Sequence, residues 1–106
     1  MNKIKKFTLC IPMYNEAGII ADTAKTVSDV MKKNLKNGLF ESYEILFSDD
    51  GSTDGCGEIV NKLGLDNVRV TGYSENMGKG CAVRTAILEA AGDDPDPDSV
   101  IMFTDA

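Results

Sequence analysis

Tyr43-Glu-Ile-Leu-Phe-Ser-Asp-Asp-Gly-Ser-Thr-Asp-Gly55 reads as a buried strand that runs straight into an acidic turn. Tyr43–Ser48 is close to continuously apolar, as a strand covered on both faces of a parallel sheet must be. Asp49 and Asp50 then leave that strand side by side, and two adjacent carboxylates are costly to place together unless something uses them. Gly51 permits a tight turn, and Ser52 or Thr53 is placed to cap a short helix. Ile59, Val60 and Leu63 give that helix its apolar side, and Gly64 ends it.

The same order of strand, polar loop and helix repeats on either side. Phe7–Ile11, Val68–Tyr73 and Val100–Thr104 are further short runs rich in Ile, Val, Leu, Phe or Tyr. Ile20, Ala24, Val27, Met31 and Leu35 recur at spacings of four and three, so they line one face of a helix that Asn37-Gly38 stops. A third helix runs from about Gly78 to Ala91, with Ala82, Val83, Ala86, Ile87 and Ala90 on its apolar face and Gly92 closing it. Strands alternating with helices are the pattern of parallel βαβ units with right-handed crossovers, an α/β fold. The Asp93–Asp98 stretch before the last strand is a turn-rich surface loop. No repeat or linker divides the chain, so residues 1–106 form one domain.

In open α/β sheets, ligands bind outside the carboxyl ends of the strands. The loops at those ends are Pro12–Ala17, Asp49–Gly57, Ser74–Gly80 and whatever follows Thr104, and they are the most polar stretches of the chain.

Composition narrows the chemistry. A net charge of −6 argues against a nucleic-acid binder, which needs a basic face. An anionic ligand must be held by backbone amides or by one or two placed cations. The three cysteines, Cys10, Cys56 and Cys81, lie far apart without a CxxC pair, which fits reduced buried thiols and a cytoplasmic setting. The absence of histidine removes Ser-His-Asp and Cys-His chemistry and most zinc sites, leaving oxygen ligands and therefore Mg²⁺ or Mn²⁺ for any metal. No stretch approaches the roughly 20 apolar residues that span a bilayer.

Each loop carries a specific and a plain reading. In Pro12-Met-Tyr-Asn-Glu16, Pro12 ends the first strand, Tyr14 offers a flat face to a base, and Asn15 and Glu16 can cap the next helix or contact a sugar. In the second loop a carboxylate can accept from a base N–H or a ribose hydroxyl. An Asx turn and a helix cap account for Ser52, Thr53 and Asp54, but not for both Asp49 and Asp50. Ser74-Glu-Asn-Met-Gly-Lys-Gly80 is not a Walker A loop, because Gly80 stands where the Mg²⁺-binding hydroxyl should be. It remains a glycine-rich helix start with one lysine, suited to a phosphate or a base edge, or simply a surface turn. The GxGxxG fingerprint of dinucleotide binders is missing after the first strand.

Taken in order, Pro12-Met-Tyr-Asn-Glu16, Asp49-Asp-Gly-Ser-Thr-Asp54, Asn76-Met-Gly-Lys-Gly80 with Arg84, and Phe103-Thr-Asp-Ala106 resemble the family 2 glycosyltransferases, especially the dolichyl- and undecaprenyl-phosphate sugar transferases. The resemblance implies a three-layer, Rossmann-like GT-A half-fold with four mainly parallel strands in the order 3-2-1-4 and flanking helices. It also implies a bound nucleotide-diphospho-sugar, linked to UDP or GDP. Pro12, Tyr14 and Glu16 would contact the base or ribose. Asp50 would accept from the base with Asp49 in support, and Lys79 would lie near the base or diphosphate. Asp105 matches the first aspartate of the Asp-x-Asp motif, which binds the ribose and a divalent cation.

The second aspartate of that motif, the acceptor half and the catalytic base have no counterpart here, so the expectation is a truncated domain, inactive alone. In the intact protein it would transfer a sugar with inversion to an acceptor such as a polyprenyl phosphate, on the cytoplasmic side of a membrane held by other parts of the protein. Uncovered strand edges predict a homo-oligomer. Two other readings stand beside this one. A sugar-nucleotide nucleotidyltransferase would carry a basic glycine-rich loop after the first strand, where Tyr14-Asn-Glu16 stands. A receiver-like α/β module would carry a lone aspartate after the third strand, where Tyr73 ends the run.

Overall fold

The computed structural model describes residues 4–92 and 96–104. Four strands, β1 (Ile4–Met13), β2 (Phe40–Asp50), β3 (Val68–Tyr73) and β4 (Ser99–Phe103), alternate with three helices, α1 (Ile20–Lys36), α2 (Cys56–Lys62) and α3 (Lys79–Ala91). The strands form one sheet in the order β3-β2-β1-β4, and every neighbouring pair is parallel. This is the expected strand order. The chain steps from β1 to β2 to β3 in one direction and then returns past β1 to β4. With right-handed crossovers, a reversal of direction sends the helix to the opposite face.

The core follows that rule. Ile11, Met13, Ile45 and Phe47 pack with Ile20, Ala24 and Met31 of α1 and Cys56 and Val60 of α2. On the other face Cys10 and Leu46 meet Ala86, with Ile87, Ala90 and Ile101 partly buried around them. Alternation along β2 sends Ile45 and Phe47 one way and Leu46 the other. The same alternation separates Asp49 from Asp50.

Three local expectations are corrected. Pro12 does not end β1: the strand runs on to Met13, with Pro12 paired to Ser48 and Met13 to Asp49. The Thr104 amide donates to the Cys10 carbonyl, so in a parallel ladder the backbone of Cys10, and of Pro12 two residues on, is directed towards β4. The missing N–H of Pro12 therefore removes nothing from the β1–β2 ladder, and β4 pairs with β1 only as far as Cys10. Leu35 is 36% exposed, while Ser28 is buried on α1. Finally, neither Ser52 nor Thr53 caps α2. Its N-cap is Gly55 at φ 80°, and the cap donates and accepts nothing through a side chain.

Among the described residues, no helix is long and apolar enough to cross a membrane. β4 lies at a sheet edge with Met102 and Phe103 each 52% exposed.

Candidate functional site

The acidic loop after β2 ties the other two loops together. On one side it clasps the loop after β1. The Asn15 amide donates to Ser52 Oγ at 3.0 Å, and the Thr53 amide donates to Asn15 Oδ1 at 2.8 Å. The Ala17 amide donates to Asp54 Oδ2 at 2.9 Å. Asn15 therefore caps no helix. It stands at φ 50°, in the left-handed region that asparagine tolerates better than most residues, and the clasp holds it there. The amides of Ala17 and, next, Cys56 hold the Asp54 carboxyl below its usual range. Burial pushes the Cys56 thiol up, and its Sγ lies 3.0 Å from Ser52 Oγ.

Asp49 faces the α2 side. Its Oδ1 accepts from the Ser52 amide at 2.9 Å, and its Oδ2 lies 3.2 Å from where a Cβ on Gly57 would stand. It closes the turn and does not reach the cleft.

Asp50 faces the α3 side and is almost fully buried. Its Oδ1 accepts from Tyr73 Oη at 2.7 Å and from the Met77 amide at 2.8 Å. Its Oδ2 accepts from Asn76 Nδ2 at 2.9 Å, and the Gly78 amide is shared between the two oxygens at 3.1 and 3.0 Å. Asn76 Nδ2 also donates to the Asp50 carbonyl at 3.1 Å. Burial, with the Asp50 carboxylate beside it, pushes the Tyr73 phenol well above its ordinary range. The loops approach so closely that a Cβ on Gly51, at φ 70°, would lie 2.3 Å from the Glu75 carbonyl carbon and 2.4 Å from the Asn76 nitrogen. Only glycine fits there.

One expectation changes as a result. The amides leading into α3 are donors a phosphate would use, but Asp50 already occupies those of Met77 and Gly78. An anion at this end would meet the first-turn amides of α3, from Lys79 on, and the Lys79 side chain.

Beside these loops opens a cleft of about 500 Å³ at the carboxyl ends of the strands, lined by Pro12, Met13, Tyr14, Glu16, Asp50, Asn76, Gly78 and Lys79. Five residues singled out in the sequence, Pro12, Tyr14, Glu16, Asp50 and Lys79, meet there. Tyr14 is 45% exposed and lines the cleft. Asp49 stays outside, and Asp105 lies outside the described residues. Sequence reasoning passed over Asn76 and Tyr73 as individual site residues. Asn76 lay within the quoted motif, but nothing in its spacing tells which carboxylate it reaches. Among the described residues no three His, Cys, Asp or Glu side chains converge to hold a metal.

The sequence model of glycosyl transferase family 2 matches residues 8–106. Dolichyl-phosphate beta-glucosyltransferase of Mus musculus is 30% identical over 108 residues, covering 95% of this chain and 33% of the relative. The Dictyostelium discoideum protein of the same name is 34% identical over 93 residues, 80% of this chain and 27% of its own length. An uncharacterized glycosyltransferase, YkcC, of Bacillus subtilis is 30% identical over 94 residues, 87% of this chain and 28% of its own. The chain thus spans about a third of the length of the curated relatives it matches.

Proposed function

The chain belongs to glycosyl transferase family 2, and from that premise we propose that its cleft is the donor site of an inverting sugar transferase that uses a nucleotide-diphospho-sugar. The observation that carries the reading is the convergence of Pro12, Tyr14, Glu16, Asp50 and Lys79, from three separate loops, on one cleft at the strand ends. Tyr14 supplies a stacking face for the base, Pro12 a rigid apolar wall, and Glu16 an acceptor for ribose hydroxyls. Lys79 brings a cation to the cleft, beside the diphosphate. The clasp through Ser52, Thr53 and Asp54 holds the first loop in its bound shape before ligand arrives, which lowers the ordering cost of binding.

The names of the relatives favour a polyprenyl phosphate as acceptor and a glucosyl donor as the first to try. Such an acceptor is a membrane lipid, so the reaction belongs at a membrane surface, on its cytoplasmic side. Asp105 is proposed as one oxygen ligand of Mg²⁺ or Mn²⁺, which when bound would offset charge on the departing diphosphate. The described residues themselves bind and orient the nucleotide.

Titration calorimetry of the full-length protein with UDP and GDP, each with and without Mn²⁺, tests this. One nucleotide should bind, and Tyr14→Ala and Lys79→Ala should each weaken it about tenfold, or ~1.4 kcal/mol. Binding of neither nucleotide would overturn the proposal.

A further inference from the structure

We infer that Asn15 is a positioning residue: it turns the backbone between Tyr14 and Glu16 so that both side chains line the cleft, and the second loop holds it in that turn. Tyr14 and Glu16 line the cleft, whereas Ser52 and Thr53, the partners of Asn15 between them, do not. β1 ends at Met13, and the Glu16 carbonyl already accepts from the Ile19 and Ile20 amides at the start of α1. The chain must therefore turn from sheet to helix within Tyr14 and Asn15. Asn15 makes that turn at φ 50°, a conformation that most side chains resist and asparagine tolerates. The loop after β2 grips it there. The Asn15 amide donates to Ser52 Oγ, its Oδ1 accepts from the Thr53 amide, and the Ala17 amide donates to Asp54 Oδ2. Ser52 is itself fixed, because its amide donates to Asp49 Oδ1 and the Cys56 thiol donates to its Oγ. Asp49, outside the cleft, thus has a route to it: Asp49 holds Ser52, Ser52 holds Asn15, and Asn15 sets Tyr14.

The inference deepens the donor-site reading and rests on it only where a nucleotide is the probe. Hydrogen exchange in the ligand-free full-length protein, followed by NMR, needs no ligand. The Ala17 amide is the reporter, because its own acceptor, Asp54, stays intact. Asn15→Ala should speed its exchange roughly tenfold as the clasp opens. Asn15→Asp keeps an acceptor for the Thr53 amide and tolerates the same backbone, so it should restore most of the protection. Ser52→Ala removes the acceptor of the Asn15 amide and should produce the same loss if Asn15→Ala fails to fold. Unchanged Ala17 exchange in Asn15→Ala or, if that variant does not fold, in Ser52→Ala would overturn the inference. An Asn15→Asp protein that exchanges as fast as Asn15→Ala would overturn it too.

In the ligand arm UDP and GDP are titrated into the wild type, Tyr14→Ala, Asn15→Ala and the double variant. Asn15→Ala should weaken the nucleotide that binds about tenfold, and adding Tyr14→Ala should then weaken it less than about twofold further, because the ring is already misplaced. A general loss of stability would not cancel the effect of Tyr14 in this way. Losses that simply multiply would overturn the inference. If neither nucleotide binds the wild type, the donor-site reading falls, and Ala17 exchange still decides whether Asn15 holds the loop.

Discussion

On one face of the sheet Ile11, Met13, Ile45 and Phe47 meet Ile20, Ala24, Met31, Cys56 and Val60, whereas on the other Cys10 and Leu46 meet little beyond Ala86 and its partly buried neighbours. The first face is thick with large side chains. The second is thin, and α3 approaches it through alanines, with Ala82 and Ala86 fully buried. Small residues let the backbone of α3 come close, and the loop that leads into it then delivers the Met77 and Gly78 amides to Asp50. A charged bridge crosses the same face. Arg69 donates from Nε to Glu44 at 2.9 Å and from Nη1 to Glu89 at 2.9 Å, joining β3, β2 and α3 by charge where apolar contact is sparse. Burial there pushes the Cys10 thiol up to about 11, which marks it as a packing residue and not a nucleophile. The lesson is a division of labour: apolar burial on the α1/α2 face supplies stability, and the α3 face is left free to hold a polar site.

Substitutions on the two faces should separate these contributions. Phe47→Ala, at a fully buried position on the thick face, should cost roughly 3–5 kcal/mol in urea unfolding. A cost under about 1 kcal/mol would show that this face does not carry the core. Gly51→Ala should cost about 2–3 kcal/mol, because its Cβ meets backbone and its φ is positive. Nucleotide affinity should fall with it as the second and third loops separate. Retained affinity would break the link between loop docking and the cleft. Glu89→Ala should cost only about 0.5 kcal/mol, since the pair with Arg69 is half-exposed and screened by solvent. Its contribution should shrink further in 1 M salt.

The smallest effect should appear only in acid. The Asp54 carboxyl is held below its ordinary range by the Ala17 and Cys56 amides. Its folded value thus lies under its unfolded value, so its contribution is present above about pH 4 and is lost as pH falls through the folded value. Asp54→Asn should therefore flatten the acid limb of the stability profile, by comparison with wild type. An unchanged limb would mean that the clasp on Ala17 adds no stability.

Much of this was legible in the chain itself. Nearly continuous apolar runs located the described strands, and apolar spacings of three and four the helices, to within a few residues, because strands covered on both faces and helices lying on a sheet leave few other patterns. The right-handed crossover then restricts the topology, and the carboxyl-end rule names the loops that form the cleft. Pro12, Tyr14, Glu16, Asp50 and Lys79 were readable because they stand in strand-end loops that match, in order, the motifs of the family 2 glycosyltransferases. Direction was not readable. Asp49 and Asp50 are chemically identical neighbours, and only the pleat of β2, fixed by Ile45, Leu46 and Phe47 finding their cores, sends one to α2 and the other to α3. Ser52 and Thr53 have the composition of helix caps, yet they bind Asn15, a residue 37 or 38 positions away. Local chemistry determines what a residue can do, and the sequence displays that chemistry in full. Which partner receives it depends on distances between loops that the chain brings together only after its strands have paired.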